Sequence, residues 1–251
     1  MNFPMKWLFN RKPVLEVCGR TDCGRIRENN EDSFAILQDR SLFMVADGMG
    51  GHQAGEVASS MAIEKTATLC SPKELTARQG NKPALQHFLI ETFHTVNAHV
   101  SKAAAREERK GMGCTLTVAL IDRDTLHCCH VGDSRCYVFG EDEFKQITTD
   151  HVACMPDEVT AASPSMSKCN ALTRIIGYPL SDDPQYTTVS LCQGDRILLC
   201  TDGLWSMLND SEMQDIIRSA PTPDHCCDRL IDGANAAGGR DNITAVAIFV
   251  K

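Results

Sequence analysis

The sequence predicts an α+β fold of antiparallel sheets covered by helix pairs, on three observations along its 251 residues. Strand-like runs cluster, helical patterns arrive as consecutive pairs, and the strand–helix alternation that builds parallel sheets is absent. With 43% hydrophobic and 23% charged residues, the chain is long enough and apolar enough to bury a sizeable core. No linker or internal repeat is visible, so both halves are expected to share one domain over residues 14–251.

The elements follow in order. VLEVCG, SFAIL and SLFMVA have the composition of short strands, the last leading to Asp47. Two helical patterns come next. Ala54, Val57, Ala58, Met61, Ala62 and Lys65 keep i, i+3, i+4 spacing, and Leu85, Phe88, Leu89, Thr92, Val96 and Val100 repeat it behind Pro83. The polar CSPKELTARQGNKP is expected to be a link between them. Strands resume at CTLTVALI, TLHCCHV, RCYVFG and EFKQIT, and an irregular stretch covers 150–168. TTVSL and DRILLCT then lead to Asp202. A second helix pair is expected near 210–219 and 222–237, with Pro223 in a first-turn position, before the closing strand ITAVAIFV.

Charge and cysteine usage narrow the class. A net charge of −8, from 25 basic and 33 acidic residues with no Lys/Arg run, argues against nucleic acid or an anionic membrane as main partner. No stretch approaches the ~18 apolar residues of a membrane span. MNFPMKWLF is too short for a secretory signal, and residues 1–13 are expected to be a loose segment. The 13 cysteines include no CxxC and sit mostly in apolar company, as at Cys114, Cys128, Cys136 and Cys200. They are expected to be small core residues of a reduced, cytoplasmic protein. Cys23 and Trp205 are given packing roles as well.

The acids need another reason. LFMVADG and ILLCTDG each carry a strand into an Asp-Gly pair, at Asp47-Gly48 and Asp202-Gly203. HVGDSR adds Asp133, and GGRDNIT adds Asp241 just before a strand. Any one Asp-Gly by itself reads better as a plain turn after a strand; four acids so placed point to a hard divalent cation, because gathered carboxylates repel unless neutralised. Upstream, GRIRENNEDSF sets Arg27 four and five residues before Glu31 and Asp32, a guanidinium suited to phosphate beside acids suited to metal-bound waters. MVADGMGGHQAGEVAS packs Gly48, Gly50, Gly51 and Gly55 together, more than a turn requires, so backbone is expected to approach something closely there.

IRENNEDSF, VADGMGGHQAGEVAS, GMGCTLT, HVGDSRCYVF, ITTDH, NALTRIIG, GDRILLCTDGLW and GGRDNIT, in that order, resemble the PP2C-like (PPM) metal-dependent serine/threonine protein phosphatases in their bacterial form. The resemblance runs from about Cys18 to Val250. It implies a central antiparallel β-sandwich flanked on both faces by helix pairs. The implied activity is hydrolysis of phosphoserine and phosphothreonine in proteins, by a monomer opposing a Ser/Thr kinase. It implies two Mn²⁺ or Mg²⁺ ions bridged by Asp47, with the Gly48 carbonyl on one and Asp202 and Asp241 on the other. Glu31 and Asp32 would act through metal-bound waters, Arg27 would clamp the phosphate, and Asp133 with Asp202 would serve a third metal position. Two such cations lower the pKa of a shared water for in-line attack on phosphorus.

Departures from the family pattern are specific. Met49 stands where eukaryotic relatives have a histidine, and His52 is nearby at a different spacing, so a metal-bound water is expected to protonate the leaving oxygen. The stretch after TTDH looks shorter than in bacterial relatives, and Cys114 replaces a threonine. Two rivals remain: a phosphatase-like binding module without catalysis, which retention of Asp47, Asp202 and Asp241 opposes, and a di-metal hydrolase of small phosphoesters.

Overall fold

The computed structural model describes residues 13–50, 54–140, 144–154 and 170–251. The strands of the first half are β1 (Leu15–Asp22), β2 (Asp32–Leu37), β3 (Leu42–Met49), β4 (Gly113–Cys114), β5 (Leu116–Asp122), β6 (Thr125–Val131) and β7 (Arg135–Phe139). They are followed by β8 (Phe144–Gln146), β9 (Val152–Cys154), β10 (Asn170–Leu172), β11 (Gln185–Ser190), β12 (Arg196–Cys200) and β13 (Ile243–Val250). The helices are α1 (Ala54–Leu69), α2 (Pro72–Thr76), α3 (Lys82–Ala104), α4 (Asp202–Trp205), α5 (Asp210–Ser219) and α6 (Pro223–Ala236).

Two sheets stack face to face. One has five strands in the order β1-β13-β12-β7-β8, the other six in the order β11-β6-β5-β3-β2, and every pairing is antiparallel. Phe43, Val45, Ala119, Ile121 and Cys128 meet Cys136, Ile197, Leu199, Val246 and Ile248 between the sheets. Their neighbours, pointing the other way by the strand period of two, lie under helices. Leu42, Met44, Val118 and Cys129 pack against α1 and α3, while Leu198, Cys200, Ala245 and Ala247 pack with α5 and α6. Both faces of the central strands are thus covered, which is why they read as unbroken apolar runs. The adjacent pair Cys128-Cys129 divides between two cores for the same reason.

The helices begin where local chemistry allows. Asn81, Asn209 and Thr222 each accept the N–H three residues on, at 3.1, 3.0 and 3.3 Å, and Asn209 with Glu212 completes a capping box. The expected link after α1 instead contains α2, capped by Ser71 Oγ on the Glu74 N–H with Pro72 in the first turn. CTLTVALI is interrupted at Thr115, which separates β4 from β5. The stretch expected to be irregular contains β9, which pairs with β10 just beyond it in a short antiparallel ribbon. The remainder of that stretch, with its apparent shortening, lies outside the described residues, as do His52 and residues 1–12.

The buried stripe of α1 is Ala54, Gly55, Ala58, Ser59, Ala62, Ile63 and Thr66, rotated from the expected one. Val57 and Met61 only flank it. Small side chains let the helix lie close on the sheet, so closeness, not bulk, selects the inward face. Ala58 is fully buried, and its carbonyl accepts from Cys114 Sγ at 3.5 Å. Ala58→Leu is expected to lower stability by about 1–3 kcal/mol through overpacking, measured as a lower urea midpoint with unchanged slope. An unchanged midpoint would show that α1 can lift without cost.

Candidate active site

The loops and strand ends at one edge of the sandwich form a cleft of about 270 Å³, lined by Arg27, Glu31, Asp47, Gly48, Asp133, Asp202 and Asp241. Asp47 does not end its strand: β3 runs on to Met49 by pairing Gly48 and Met49 with Cys114 and Gly113. Asp202 likewise opens α4 instead of a turn. Asp133 stands in the tight connection between β6 and β7, and Asp241 just before β13. Asp32 lies beneath the others, opposite Asp47 in the β2–β3 register.

Each acid is fixed by neighbours far away in sequence. Asp32 Oδ2 accepts from the hydroxyls of Thr201 and Thr244 at 2.7 and 2.6 Å. The Asp47 N–H donates to Thr115 Oγ1 at 2.8 Å, and the Thr115 N–H returns a bond to the Asp47 carbonyl at 2.8 Å. Asn242 holds the Arg27–Glu31 loop: its Oδ1 accepts from Glu31 N–H at 2.8 Å, and its Nδ2 donates to the carbonyls of Cys23 and Asn29. Trp205 donates its indole N–H to the Asp133 carbonyl at 3.0 Å, and its ring lies 3.6 Å under the Arg135 guanidinium. Arg135 in turn grips Asp150, while His151 Nδ1 accepts from the Gly132 N–H at 3.1 Å. The packing role expected for Trp205 is therefore joined to a positioning one. Cys23 donates its thiol to the Arg27 carbonyl at 3.2 Å, and Cys114 is fully buried.

Burial and mutual repulsion act together on the carboxyls. Burial first, then the charges of Asp32 and Asp202 and a hydrogen bond with Asp202, holds Asp47 well above the usual range. Asp32 is pushed up to about 8, by burial first and then by Asp202 and Asp241 against its two threonine donors. Asp133 is pushed up to about 7, by burial and by Asp202 and Asp150. Asp202 is raised by burial and by Asp241, and Glu31 by burial, which the nearby Arg27 opposes. Arg27 donates from Nη2 to Asp241 Oδ2 at 2.7 Å and is half exposed at the cleft edge.

These donors fit divalent cations. Among the described residues the buried Oδ1 atoms of Asp32 and Asp202 find no hydrogen-bond donor, a costly arrangement for carboxylate oxygens unless a cation meets them. Among the described residues no three His, Cys, Asp or Glu side chains enclose a point by themselves. Mg²⁺-type ions do not need that, since they take one or two carboxylates and keep several waters.

The protein phosphatase 2C family model matches residues 20–243. The chain belongs to the protein phosphatase 2C family. Its relatives include bacterial serine/threonine phosphatases. The chain is 34% identical over 238 residues to the serine/threonine phosphatase stp of Listeria innocua, covering 91% of this chain and 93% of that protein. It superimposes on the Mycobacterium tuberculosis serine/threonine phosphatase PstP/Ppp with a TM-score of 0.81 at 32% identity, covering 95% and 99% of the two chains. A structure of the PstP catalytic domain in complex with 2 manganese ions gives a TM-score of 0.79 at 32% identity, over 94% and 98%. The likeness spans both sheets of this phosphatase and their helix pairs.

The raised carboxyls of this phosphatase have a consequence for stability. A folded-state pKa above the unfolded value near ~4 means that the folded protein holds the proton more firmly. That contribution is complete at acid pH and is lost as pH rises through about 7 for Asp133 and about 8 for Asp32. In chelator, the urea midpoint is therefore expected to fall from about pH 4 to about pH 8 and to level off above that, and millimolar Mn²⁺ is expected to abolish the fall near neutral pH by replacing protons with a cation. A midpoint in chelator that stays level over this window would contradict the crowding.

Proposed function

We propose that this phosphatase hydrolyses phosphoserine and phosphothreonine in proteins at the carboxylate cleft, with Mn²⁺ or Mg²⁺ as cofactor, reversing a serine/threonine kinase. The supporting observation is a floor of buried, mutually repelling acids with an arginine at its edge. Asp47 is assigned as the bridge between two ions, with the Gly48 carbonyl on one and Asp202 and Asp241 on the other. Asp133, beside Asp202, is assigned to a third position, and Glu31 and Asp32 to contacts through water. Bound there, the ions would supply positive charge for the phosphoryl oxygens and acidify a shared water.

The chain's own residues do the rest. Arg27 offers a planar fork to the phosphoryl oxygens, and its bond to Asp241 aims it across the cleft. Asp241 also raises the Arg27 pKa, so the fork carries charge at every working pH. Asn242 keeps the loop that bears Arg27 and Glu31 against the start of β13. Met49 has no proton for the departing serine or threonine oxygen, and we assign that proton to water in place of His52. The catalytic unit is taken as one domain over 14–251, acting as a monomer in the cytoplasm. No helix among the described residues is long and apolar enough to cross a membrane.

Two experiments test these assignments. Asp47→Asn, Asp202→Asn and Asp241→Asn should each cut phosphopeptide turnover by at least the ~10–100-fold typical of losing even an outer-shell partner, with the fold retained by circular dichroism. Near-normal hydrolysis by Asp47→Asn would sink the two-ion assignment. Arg27→Ala should lower kcat/KM by about 10–100-fold and raise KM, the loss expected for a charged hydrogen bond. Arg27→Lys should recover only part, because a point charge cannot reproduce the fork. An unaltered kcat/KM in both would place the phosphate elsewhere.

A further inference from the structure

The rim of the cleft contains a feature that hydrolysis itself does not use. Two segments run side by side there, tied twice: the Arg25 N–H donates to the Gly239 carbonyl at 2.7 Å, and Arg27 pairs with Asp241 at 2.7 Å. Ile26 lies between the two ties on one segment and Arg240 between them on the other. Gly24 packs so tightly on this second segment that a Cβ would collide with the Asp241 carbonyl, and its φ is +81°. Asp22 Oδ1 accepts the Gly24 N–H at 2.9 Å, which closes the turn into the loop. The backbone beside Arg27 is therefore held in place before any substrate arrives.

On this fixed backbone Ile26 is 69% exposed, the highest value among the large apolar side chains of the described residues. A single exposed isoleucine is ordinary on a protein surface. One on a pinned loop, next to the arginine assigned to phosphate, is a ready contact for whatever chain carries that phosphate. Arg25 and Arg240, both exposed, flank it and make no ion pair among the described residues. They stand out on a protein whose net charge is −8. Glu28, also exposed, is the acid that follows on the same segment and limits the patch to Arg25, Ile26 and Arg240.

We propose that Arg25, Ile26 and Arg240 form a docking rim for the polypeptide on either side of the phosphorylated residue, selecting phosphoprotein segments with an apolar side chain and carboxylates near the phosphate. The proposal rests on the phosphatase reading and names the substrate class for that same cleft. Ile26 gives an apolar contact, and the two guanidinium groups give charge complementarity. Because the loop is already ordered, little conformational entropy is lost on docking. A small phosphoester reaches the floor of the cleft without touching the rim.

The test compares three substrates with the full-length chain in Mn²⁺: a phosphothreonine peptide flanked by leucine and glutamates, one flanked by serine and lysines, and p-nitrophenyl phosphate. The wild type should prefer the first peptide over the second in kcat/KM. Ile26→Ser, and separately Arg25→Glu with Arg240→Glu, should each lose about tenfold on the first peptide. Both variants should keep wild-type rates on p-nitrophenyl phosphate, which also reports an intact fold. Equal kcat/KM for the two peptides in the wild type would overturn the rim, and so would a preference that the variants leave intact. Failure of the wild type to hydrolyse any of the three would overturn the phosphatase reading, and the rim with it.

Discussion

Carboxyl groups from several separate stretches of chain are forced together where the two sheets end, and most of the local structure can be understood from their repulsion. Burying an uncompensated carboxylate costs several kcal/mol even after relaxation. Here Asp47, Asp202 and Asp32 share one small volume, and Asp47 and Asp202 are close enough to share a hydrogen bond. Protons relieve the repulsion in acid, and divalent cations can relieve it at neutral pH. The Thr201 and Thr244 hydroxyls on Asp32 soften it further by favouring the charged form. Stability and cation binding are therefore two views of one electrostatic problem.

Holding acids this close demands backbone closeness, which accounts for the glycines. A Cβ on Gly48 would collide with the carbonyl of Gly55, and one on Gly203 with the carbonyl of Asn242. A Cβ on Gly55 would come within 2.7 Å of the Glu31 carboxyl. Each glycine follows or faces an acid of the cleft, so the chain next to the carboxyls lies directly on its neighbour with no side chain between. The small inward face of α1 serves the same end, letting the helix that starts at Ala54 approach β3.

The features legible in the sequence were those whose signal is local. An apolar run that ends in Asp-Gly, seen twice, marked Asp47 and Asp202, and the order of strands and paired helices matched the sandwich. Periodicity weighs bulk and so turns Val57 and Met61 of α1 inward, whereas the packing there depends on Gly55, Ala58 and Ser59. The positioning roles of Asn242, Thr115 and the Asp150–His151 pair are not legible in the sequence for a different reason. The partners that decide their roles lie 15 or more residues away, as with Asn242 on Asn29 and Arg135 on Asp150. A polar residue whose role is to hold a distant loop carries no mark of it in its own surroundings.

The floor and the rim of the cleft are constrained in different ways. On the floor, Asp32, Asp47 and Asp202 are set by strand register and by threonines on other strands, so a change there disturbs both packing and charge. At the rim the backbone is fixed by ties such as Arg25 to Gly239, while the side chains of Arg25, Ile26 and Arg240 extend into solvent. Exposed side chains of this kind contribute little to stability, typically within ±0.5 kcal/mol on substitution. The scaffold can thus hold one chemistry constant through the crowded acids while the contacts that choose a substrate vary on a rigid edge. That division follows from where the backbone hydrogen bonds end, because the last ordered bond before solvent, Arg25 N–H to the Gly239 carbonyl, is the first point at which a side chain can change without moving a carboxyl.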